Sequence, residues 1–564
     1  MNMNQVALIL LSTVTFLGST AVSSIAQVIG TTAAEDFSEE ALFQETETDS
    51  TPEAQPSFIE PILPEDILEE DFFDEELELP EDILEEEADL PADEVPADVE
   101  EEVVETPSYI DRYNAGVEQY RAGNNEAAIE EFNASIAINP DYAPAYLFRG
   151  ATFARLENTT AALNSYNLAI SIDPNYSAAY LNRGILHYDL QNPDLAAEDF
   201  DRAIATDPTS ATAYIYLGLI DSERGNYDTA LEYLNDAVSL DSNNASAYFH
   251  RGLIFKALGS PDLAIEDFTQ AIELQENYAV AYLNRGVAHY QLGAMTPALQ
   301  DIDQAITIDE SNIEAHYNRS FVLIAQNRPK AALDSLNTVL TLDSSYANAY
   351  LIRGQVYSST GNIDAAISSF SQVLELSPNS AEAYYGRGKA YLLTNEQQAA
   401  IADFTAALAR DPAHAPSYKG RGDAFANQGN SFYALSDYTT AIDLDNTYWD
   451  AYSSRGRTHY ESGNYTEAYT DFSNVIAANV LDADVFYYRG VTNALLGNTA
   501  GAESDLETAG NIYLTNNEAE RYRIVLDALN KVVTTQAAGT PATETQEVET
   551  QDVEVQEIET QEIN

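Results

Sequence analysis

The chain carries apolar side chains at helical spacing, in a pattern that recurs every 34 residues between residues 109 and 516. In residues 177–210, the first half places apolar and small side chains on one helical face: Tyr180, Leu181, Gly184 and Tyr188. The second half does the same with another set: Leu195, Ala196, Phe200, Ala203 and Ile204. Spacings of three and four residues indicate amphipathic helices. Each unit is therefore predicted to be a helical hairpin, and the fixed period indicates a stacked array rather than a globular domain.

Small residues hold two positions of the unit. The eighth position is Ser320 in one unit and glycine in the other eleven: Gly116, Gly150, Gly184, Gly218, Gly252, Gly286, Gly354, Gly388, Gly422, Gly456 and Gly490. Alanine stands twelve residues later in all twelve units, from Ala128 to Ala502. Small side chains at both positions would let the two helices approach closely, and a larger one would cost roughly 1–3 kcal/mol through overpacking.

Polar residues mark the turn between the two helices. Asparagine stands at the sixteenth position of eight units: Asn124, Asn158, Asn192, Asn226, Asn362, Asn430, Asn464 and Asn498. Because asparagine is a favoured N-cap residue, these positions are predicted to cap the second helix. In residues 177–210 the sequence Asp207-Pro208 then predicts its end.

This pattern resembles the tetratricopeptide repeat. The shared positions are an aromatic residue at position four, glycine at eight and fifteen, alanine at twenty, an aromatic residue at twenty-four, alanine at twenty-seven and proline at thirty-two. Only five units have the proline: Pro140, Pro174, Pro208, Pro378 and Pro412. The resemblance is to a bacterial-type exported array, and it covers residues 109–516. It implies an all-α fold, a right-handed α-solenoid of about twelve 34-residue helix-turn-helix repeats. Residues 517–533 are expected to form a C-terminal capping helix with one apolar stripe: Tyr522, Leu526, Leu529 and Val533.

The charge of the chain is large and unevenly distributed. The chain has 25 Lys and Arg residues against 93 Asp and Glu residues, a formal net charge of −68. Residues 27–108 hold 31 acidic residues and no basic ones, and residues 534–564 hold 8 acidic residues and no basic ones. Both segments are predicted to be disordered, the second as a low-complexity tail. Since such a charge repels phosphate backbones, nucleic acid is excluded as a partner.

The acidic segment 27–108 contains the sequence LPEDILEE twice, at 63–70 and at 79–86. Three interpretations remain open. The segment could be a solvated tether, each motif could be a short recognition helix with proline in its first turn, or the carboxylates could bind divalent cations weakly.

The first residues predict export. Residues 6–17 are mostly apolar and lead to Ser24-Ile25-Ala26, which is typical of a signal peptide over 1–26 with an A-x-A-like cleavage site. No basic residue precedes the apolar stretch, so the alternative is a membrane anchor through residues 6–29. In both cases the repeats are expected outside the cytoplasm, in a periplasmic, lumenal or extracellular space.

No group of residues indicates catalysis. The absence of cysteine excludes disulfides and thiolate metal sites. His187, His289 and His459 share one position, but they lie in repeats three, six and eleven, too far apart to bind one metal ion together. Because no nucleophile–base pair or phosphate-binding glycine loop stands out, the chain is predicted not to be an enzyme, with no cofactor and no metal.

A charged pair recurs within the repeat. Arginine precedes the eighth position in ten units, and seven of these also have aspartate at position twenty-three: Asp199, Asp267, Asp301, Asp403, Asp437, Asp471 and Asp505. The two units without the arginine lack the aspartate. This correlation predicts an ion pair between the two helices that fixes their register.

The family resemblance also implies a binding surface. In tetratricopeptide arrays the first helix of each hairpin lines the concave face, and its positions two, five, six, nine, twelve and thirteen contact ligands. In repeats three to seven this implies that the following residues contact a partner: Leu181, Asn182, Phe249, His250, Leu283, Asn284, Tyr317 and Asn318. The asparagines resemble in part a ladder that binds a peptide backbone. The alternative is that they satisfy only local backbone groups.

Three basic residues map to the same face in repeats nine to eleven: Lys389, Lys419 and Arg457. A basic spot in an acidic array would attract an acidic segment, and the chain's own tails are candidate intramolecular ligands. The alternative is that nearby acidic residues neutralise the spot: Glu382, Asp423 and Asp450.

The leading hypothesis from the sequence is an exported, non-enzymatic scaffold that binds a protein or peptide client in its groove, with no membrane contact beyond an N-terminal anchor. The alternative is a structural spacer of the cell envelope whose acidic tails are the functional part.

Overall fold

The computed structural model describes residues 107–538. The predicted signal segment 1–26 lies outside this range, as do the acidic segment 27–108 apart from its last two residues and the tail beyond residue 538. Within residues 107–538 there are 25 helices, which make up 80% of these residues, and no strands. The predicted all-α solenoid is confirmed.

Twelve helical hairpins, repeats 1 to 12, follow one another in chain order. Their first helices are the odd-numbered helices α1 to α23, each 13 residues long: Tyr109–Arg121, Ala143–Arg155, Ser177–Asp189, Ala211–Glu223, Ala245–Ala257, Ala279–Gln291, Ile313–Ala325, Ala347–Ser359, Ala381–Leu393, Ala415–Asn427, Trp449–Glu461 and Ala483–Leu495. Their second helices are the even-numbered helices α2 to α24: Asn125–Ile138, Thr159–Ile172, Pro193–Thr206, Tyr227–Leu240, Pro261–Leu274, Met295–Ile308, Pro329–Leu342, Ile363–Leu376, Gln397–Arg410, Ser431–Leu444, Tyr465–Ala477 and Thr499–Thr515. The last helix, α25, spans Ala519–Ala538.

The helices pack mainly on their neighbours in sequence. Each first helix packs on its own second helix, and each second helix packs on the first helix of the next repeat. Most first helices also contact the first helix of the following repeat, whereas successive second helices make no contact of similar extent within residues 107–538. The first helices are therefore closer together, and they form the concave side of the stack.

The glycine at position eight permits this close packing. A Cβ atom added to Gly184 would lie 2.7 Å from Cε1 of Phe200, the aromatic residue at position twenty-four of the same repeat. The same short approach recurs in other repeats, for example 2.7 Å between Gly354 and Phe370. The two small-residue positions predicted from sequence are thus where the helices of each hairpin meet.

The asparagine at position sixteen only partly behaves as predicted. Asn158 and Asn498 accept a hydrogen bond from a backbone N–H of the second helix, but the other six make no such side-chain cap. Asn226 has ψ of 57°, rather than the extended ψ of 168° seen at the capping residue Ser108. Its Nδ2 instead donates to Asp221 at 3.0 Å, at the end of the first helix. All eight asparagines stand at the predicted N-cap position, so the predicted start of the second helix is confirmed. The predicted side-chain hydrogen bond is absent in six of them, and four of these six bond back to the end of the preceding helix instead.

The predicted ion pair is confirmed in all seven repeats that carry both residues. In repeat 9, Arg387 donates from Nε and Nη2 to Asp403 at 2.7 and 2.9 Å. Its remaining Nη1 donates to Ser371 of repeat 8 at 3.0 Å. The guanidinium also lies 5.8 Å from the ring centroid of Tyr384, the aromatic residue at position four. Each arginine therefore joins two successive repeats, and this second link was not predicted from the sequence.

The capping helix buries part of the predicted stripe, since Tyr522 and Leu529 pack against repeat 12 but Leu526 and Val533 do not. Val525 and Val532 are buried, whereas Leu526 and Val533 are exposed. Val525 and Val532 pack with Leu506 and Tyr513 of repeat 12. The buried face of the helix therefore combines Tyr522 and Leu529 with these two valines.

We expect the array to fold without any metal or disulfide. Circular dichroism of the protein before and after chelation and reduction should show unchanged helix content, because its helices are held by apolar contacts and internal hydrogen bonds. A large loss of helical signal after either treatment would contradict this.

Candidate binding groove

The family resemblance assigns positions two, five, six, nine, twelve and thirteen of each first helix to the inner face of the array. Two of the four fifth-position residues predicted to contact a partner are buried. Phe249 is 4% exposed and Leu283 is 8% exposed. Phe249 packs against Phe268 and against Tyr278, whose ring centroid is 5.0 Å from that of Phe249. Leu181 and Tyr317 are half-buried. The structure thus places Phe249 and Leu283 in the core rather than on a groove surface, and the ring of Phe249 is covered by Phe268 and Tyr278.

His250 is also a core residue. It is 2% exposed and packs against Phe249. Burial lowers the pKa of His250 to about 4, from an ordinary value of 6.5. The imidazole is therefore neutral at physiological pH and lies inside repeat 5, where a client could not reach it.

This pKa predicts a stability change with pH. The folded protein binds the His250 proton only near pH 4, while the unfolded chain binds it near pH 6.5, so stability is full above pH 6.5 and falls as the pH drops towards 4. When the pH falls from 7 to 5, the free energy of unfolding of repeats 4 to 6 should decrease by about 2 kcal/mol more in the native protein than in His250→Asn. Asparagine stands at this position in repeats 3, 6 and 7, so the control residue suits the fold. Hydrogen exchange of these repeats at both pH values measures the difference, and equal losses would contradict the prediction.

The asparagines at position six bond to their own helices. Nδ2 of Asn182, Asn284 and Asn318 donates to the carbonyl oxygen four residues earlier, at 2.8, 2.9 and 2.9 Å. Lys256 also donates to Oδ1 of Asn284. These contacts support the alternative interpretation, in which the amides satisfy local groups. All three side chains are half-buried, so part of each still faces the concave side.

Repeats 9 to 11 have a more open inner face, which we call the open segment. Their sixth positions carry Gly386, Gly420 and Ser454, in place of the larger side chains of the earlier repeats. A Cβ atom on Gly420 would lie 2.5 Å from Cζ of Phe404, so packing from the preceding repeat requires this glycine. On the concave side of these repeats, Lys389, Asp450 and Arg457 are exposed.

The three predicted basic residues lie in this open segment but differ in their partners. Nζ of Lys419 is 2.8 Å from Oδ2 of Asp423, and Nε of Arg457 is 3.0 Å from Oε1 of Glu461. Two of the three cations are therefore paired with a carboxylate one turn along the same helix. Nζ of Lys389 lies 5.3 Å from the ring centroid of Tyr385 and has no ion-pair partner in the described part of the chain.

The open segment also contains tyrosines that the sequence analysis did not select. Burial, with the nearby carboxylates of Asp423 and Asp450, raises the pKa of Tyr385 to about 12. Burial and the same carboxylates also raise the pKa of Tyr448. Tyr488, in the adjoining repeat 12, lies under the guanidinium of Arg457, 5.5 Å away. A signal was present in the sequence, since Tyr385 and Tyr448 occupy positions five and thirty-four, which both adjoin the concave side.

Two further properties concern the described helices. None of them combines the length and apolar character needed to cross a membrane. Residues 107–538 also contain no group of three His, Asp or Glu side chains arranged to hold a metal ion.

Family comparisons agree with this architecture. A family model of the TPR repeat matches residues 254–293 and 354–395. Two models of the tetratricopeptide repeat match residues 113–177, 181–245, 279–312, 381–414 and 453–510. Together these stretches cover more than half of the chain. The chain belongs to the tetratricopeptide repeat (TPR) family. Proteins of this family generally mediate protein–protein interaction and are generally non-enzymatic.

Several solved structures are similar to parts of this TPR protein. One is YrrB, described as a TPR protein with an unusual peptide-binding site, at 25% identity over 33% of this chain and 96% of that chain, with a TM-score of 0.31. Another is a tetratricopeptide repeat protein from Parabacteroides merdae, at 19% identity over 44% of this chain and 98% of that chain, with a TM-score of 0.37. Yeast Tom70 matches at 16% identity over 76% of this chain and 96% of that chain, with a TM-score of 0.33. Comparison with curated proteins gave no match.

Proposed function

We propose that this protein is an exported, non-enzymatic TPR scaffold that binds an extended peptide or a protein surface along its concave face. The observation that supports this function best is the open segment. There the inner face of repeats 9 to 11 presents exposed charged residues and half-buried tyrosines instead of a closed apolar core. Tyrosine and charged side chains supply both contact area and hydrogen bonds, which suits a polar peptide.

The N-terminal half suggests a second candidate function. The inner-face residues Leu147, Ile215 and Phe249 are all buried, so repeats 2 to 5 offer little free surface for a client. A closed, continuous stack of this kind suits a spacer that holds the acidic segments away from a cell-envelope attachment point. In that case the acidic segments carry the function and no client occupies the open segment.

Photocrosslinking can separate these two functions. A photoreactive amino acid placed at Arg457 or Asp450, both exposed on the inner face, should crosslink to one defined client in cells. The same group at Tyr469 or Thr470, exposed on the second helix of repeat 11, is the matched control. A client captured from the inner positions alone supports the scaffold. Equal capture from both faces, or none, would reject binding in the groove.

Export is tested separately. Mass spectrometry of the N-terminus of the mature protein should identify Gln27 as its first residue. An intact N-terminus on protein in the membrane fraction would favour the anchor through residues 6–29. An intact N-terminus on protein in the cytoplasm would reject export.

A further inference from the structure

Lys389 differs from the other basic residues of the open segment. Lys419 and Arg457 each have a carboxylate within 3.0 Å, whereas Lys389 has no ion pair among residues 107–538. Its ammonium group instead lies over Tyr385, and the side chain is exposed to solvent on the concave side. Lys389 is therefore accessible to a negatively charged ligand.

The acidic residues around Lys389 have other partners or lie too far away. Oε1 of Glu382 accepts a hydrogen bond from Gln355 at 2.9 Å. Asp423 binds Lys419 through one oxygen and accepts from the Tyr438 hydroxyl at 2.9 Å through the other. Asp450 is not within ion-pair distance of Lys389. The predicted neutralisation therefore holds for Lys419 through Asp423, but it does not extend to Lys389.

The surroundings also make the charged form of Lys389 less favourable than in water. Partial desolvation by the surrounding side chains of the concave side, and the nearby charge of Lys419, lower the pKa of Lys389. A carboxylate bound next to the ammonium would offset both effects. Since the site lies on a concave, partly desolvated surface, that attraction is less screened than on an open one.

We propose that Lys389 binds a carboxylate of the chain's own duplicated motif, residues 63–86, and that this segment occupies the open segment until a client displaces it. This inference rests on the proposed function, because it assigns an internal competitor to the same surface. A client would then bind only by displacing this tethered segment from the open segment.

Charge favours residues 63–86 as the occupant. This segment has 13 acidic residues in 24 and no basic ones, a higher density than the 8 acidic residues in 31 of the C-terminal tail. It contains apolar side chains that suit a tyrosine-lined surface, such as Ile67 and Phe72. Residues 87–108 tether the segment to the array, which raises its effective concentration there. At moderate salt, repulsion from acidic residues of the array more than about 8–10 Å away is screened, so the groups nearest Lys389 determine whether the segment binds.

Lysine acylation of the full chain tests this interaction. The variant replaces the acidic residues of both motifs by their amides: Glu65, Asp66, Glu69, Glu70, Glu81, Asp82, Glu85 and Glu86. Acylation of Lys389, followed by mass spectrometry, should be several-fold slower in the native chain than in this variant at low salt. The difference should vanish at high salt. Lys330, an exposed lysine on the second helix of repeat 7, should react equally in both chains.

A second measurement identifies the occupant. Carbodiimide treatment at low salt should join Lys389 to an acidic residue of 63–86 within one chain. Equal acylation of Lys389 in both chains would overturn the proposal, and so would crosslinks from Lys389 to residues 534–564 only. Capture of a client from the groove together with equal acylation would leave the proposed function intact and reject only the internal ligand.

Discussion

Replacement of Ala298 by phenylalanine should unfold the middle of the array while its two ends stay folded. Ala298 is fully buried on the second helix of repeat 6, and its carbonyl oxygen would lie 3.0 Å from a Cβ atom added to Gly286. A phenyl ring has no space there, so we expect a cost of at least about 3 kcal/mol, at the upper end of overpacking effects. Because each repeat contacts mainly its neighbours, the loss should be confined to repeats 5 to 7.

Hydrogen exchange resolved by repeat measures this effect. Amides of repeats 5 to 7 should exchange much faster in Ala298→Phe, while those of repeats 1 to 3 and 10 to 12 keep their native rates. Gln300→Phe is the matched control, since it introduces the same residue at an exposed position of the same helix. Uniformly faster exchange along the whole chain would show that the array unfolds as one unit and would contradict the prediction.

Removal of one aspartate from an ion pair should weaken the junction between two repeats. Asp403 is 5% exposed and accepts two hydrogen bonds from Arg387. In Asp403→Leu the half-buried guanidinium of Arg387 keeps only its link to Ser371 in repeat 8. Loss of one partner of a fully buried pair costs about 3–5 kcal/mol. Partial exposure of the arginine reduces this cost, and we expect Asp403→Leu to lower the free energy of unfolding of repeats 8 to 10 by about 2–3 kcal/mol.

The chain itself offers the controls for this prediction. Repeat 8 has Ser369 in place of the aspartate, and Arg353 donates to it at 3.2 Å, so Asp403→Ser should cost much less than Asp403→Leu. Repeat 4 has Leu217 and Tyr233 at the two positions, so the double change Arg387→Leu and Asp403→Tyr should recover part of the loss. Urea unfolding of all four proteins, with hydrogen exchange of repeats 8 to 10, compares them. If Asp403→Leu is as stable as the native chain, the pair contributes nothing to the junction.

The residues that could be interpreted from sequence are those with the same role in every repeat. Gly184 and Phe200 recur at fixed positions because the two helices of every hairpin approach in the same way. The pairing of Arg387 with Asp403 was also predictable, since the two residue types occur together from repeat to repeat. The link from Arg387 to Ser371 was not, because the partner at that position varies between asparagine, threonine, serine and aspartate, and only the stacking of repeats brings it close.

The candidate groove was less predictable for the same reason. Family positions placed Phe249 and Lys389 on one face, but they do not specify how far neighbouring first helices close over a given residue. Phe249 is covered, while Lys389 stays open beside Gly386 and Gly420. Likewise Lys419 pairs with Asp423 one helical turn away. The lack of an ion pair at Lys389 depends on contacts between repeats, since Glu382 bonds to Gln355 of the preceding repeat and Asp450 lies two repeats further on.

The sequence by itself determined the class of this protein, because periodic apolar spacing and a constant repeat length are local properties that each hairpin satisfies within its own 34 residues. It also determined the strongly acidic balance and the absence of cysteine chemistry. The tertiary structure alone decided which inner-face residues are accessible, which cations are paired, and which edge of the capping helix is buried. These properties depend on contacts between repeats, where side-chain size and charge at several distant positions act together.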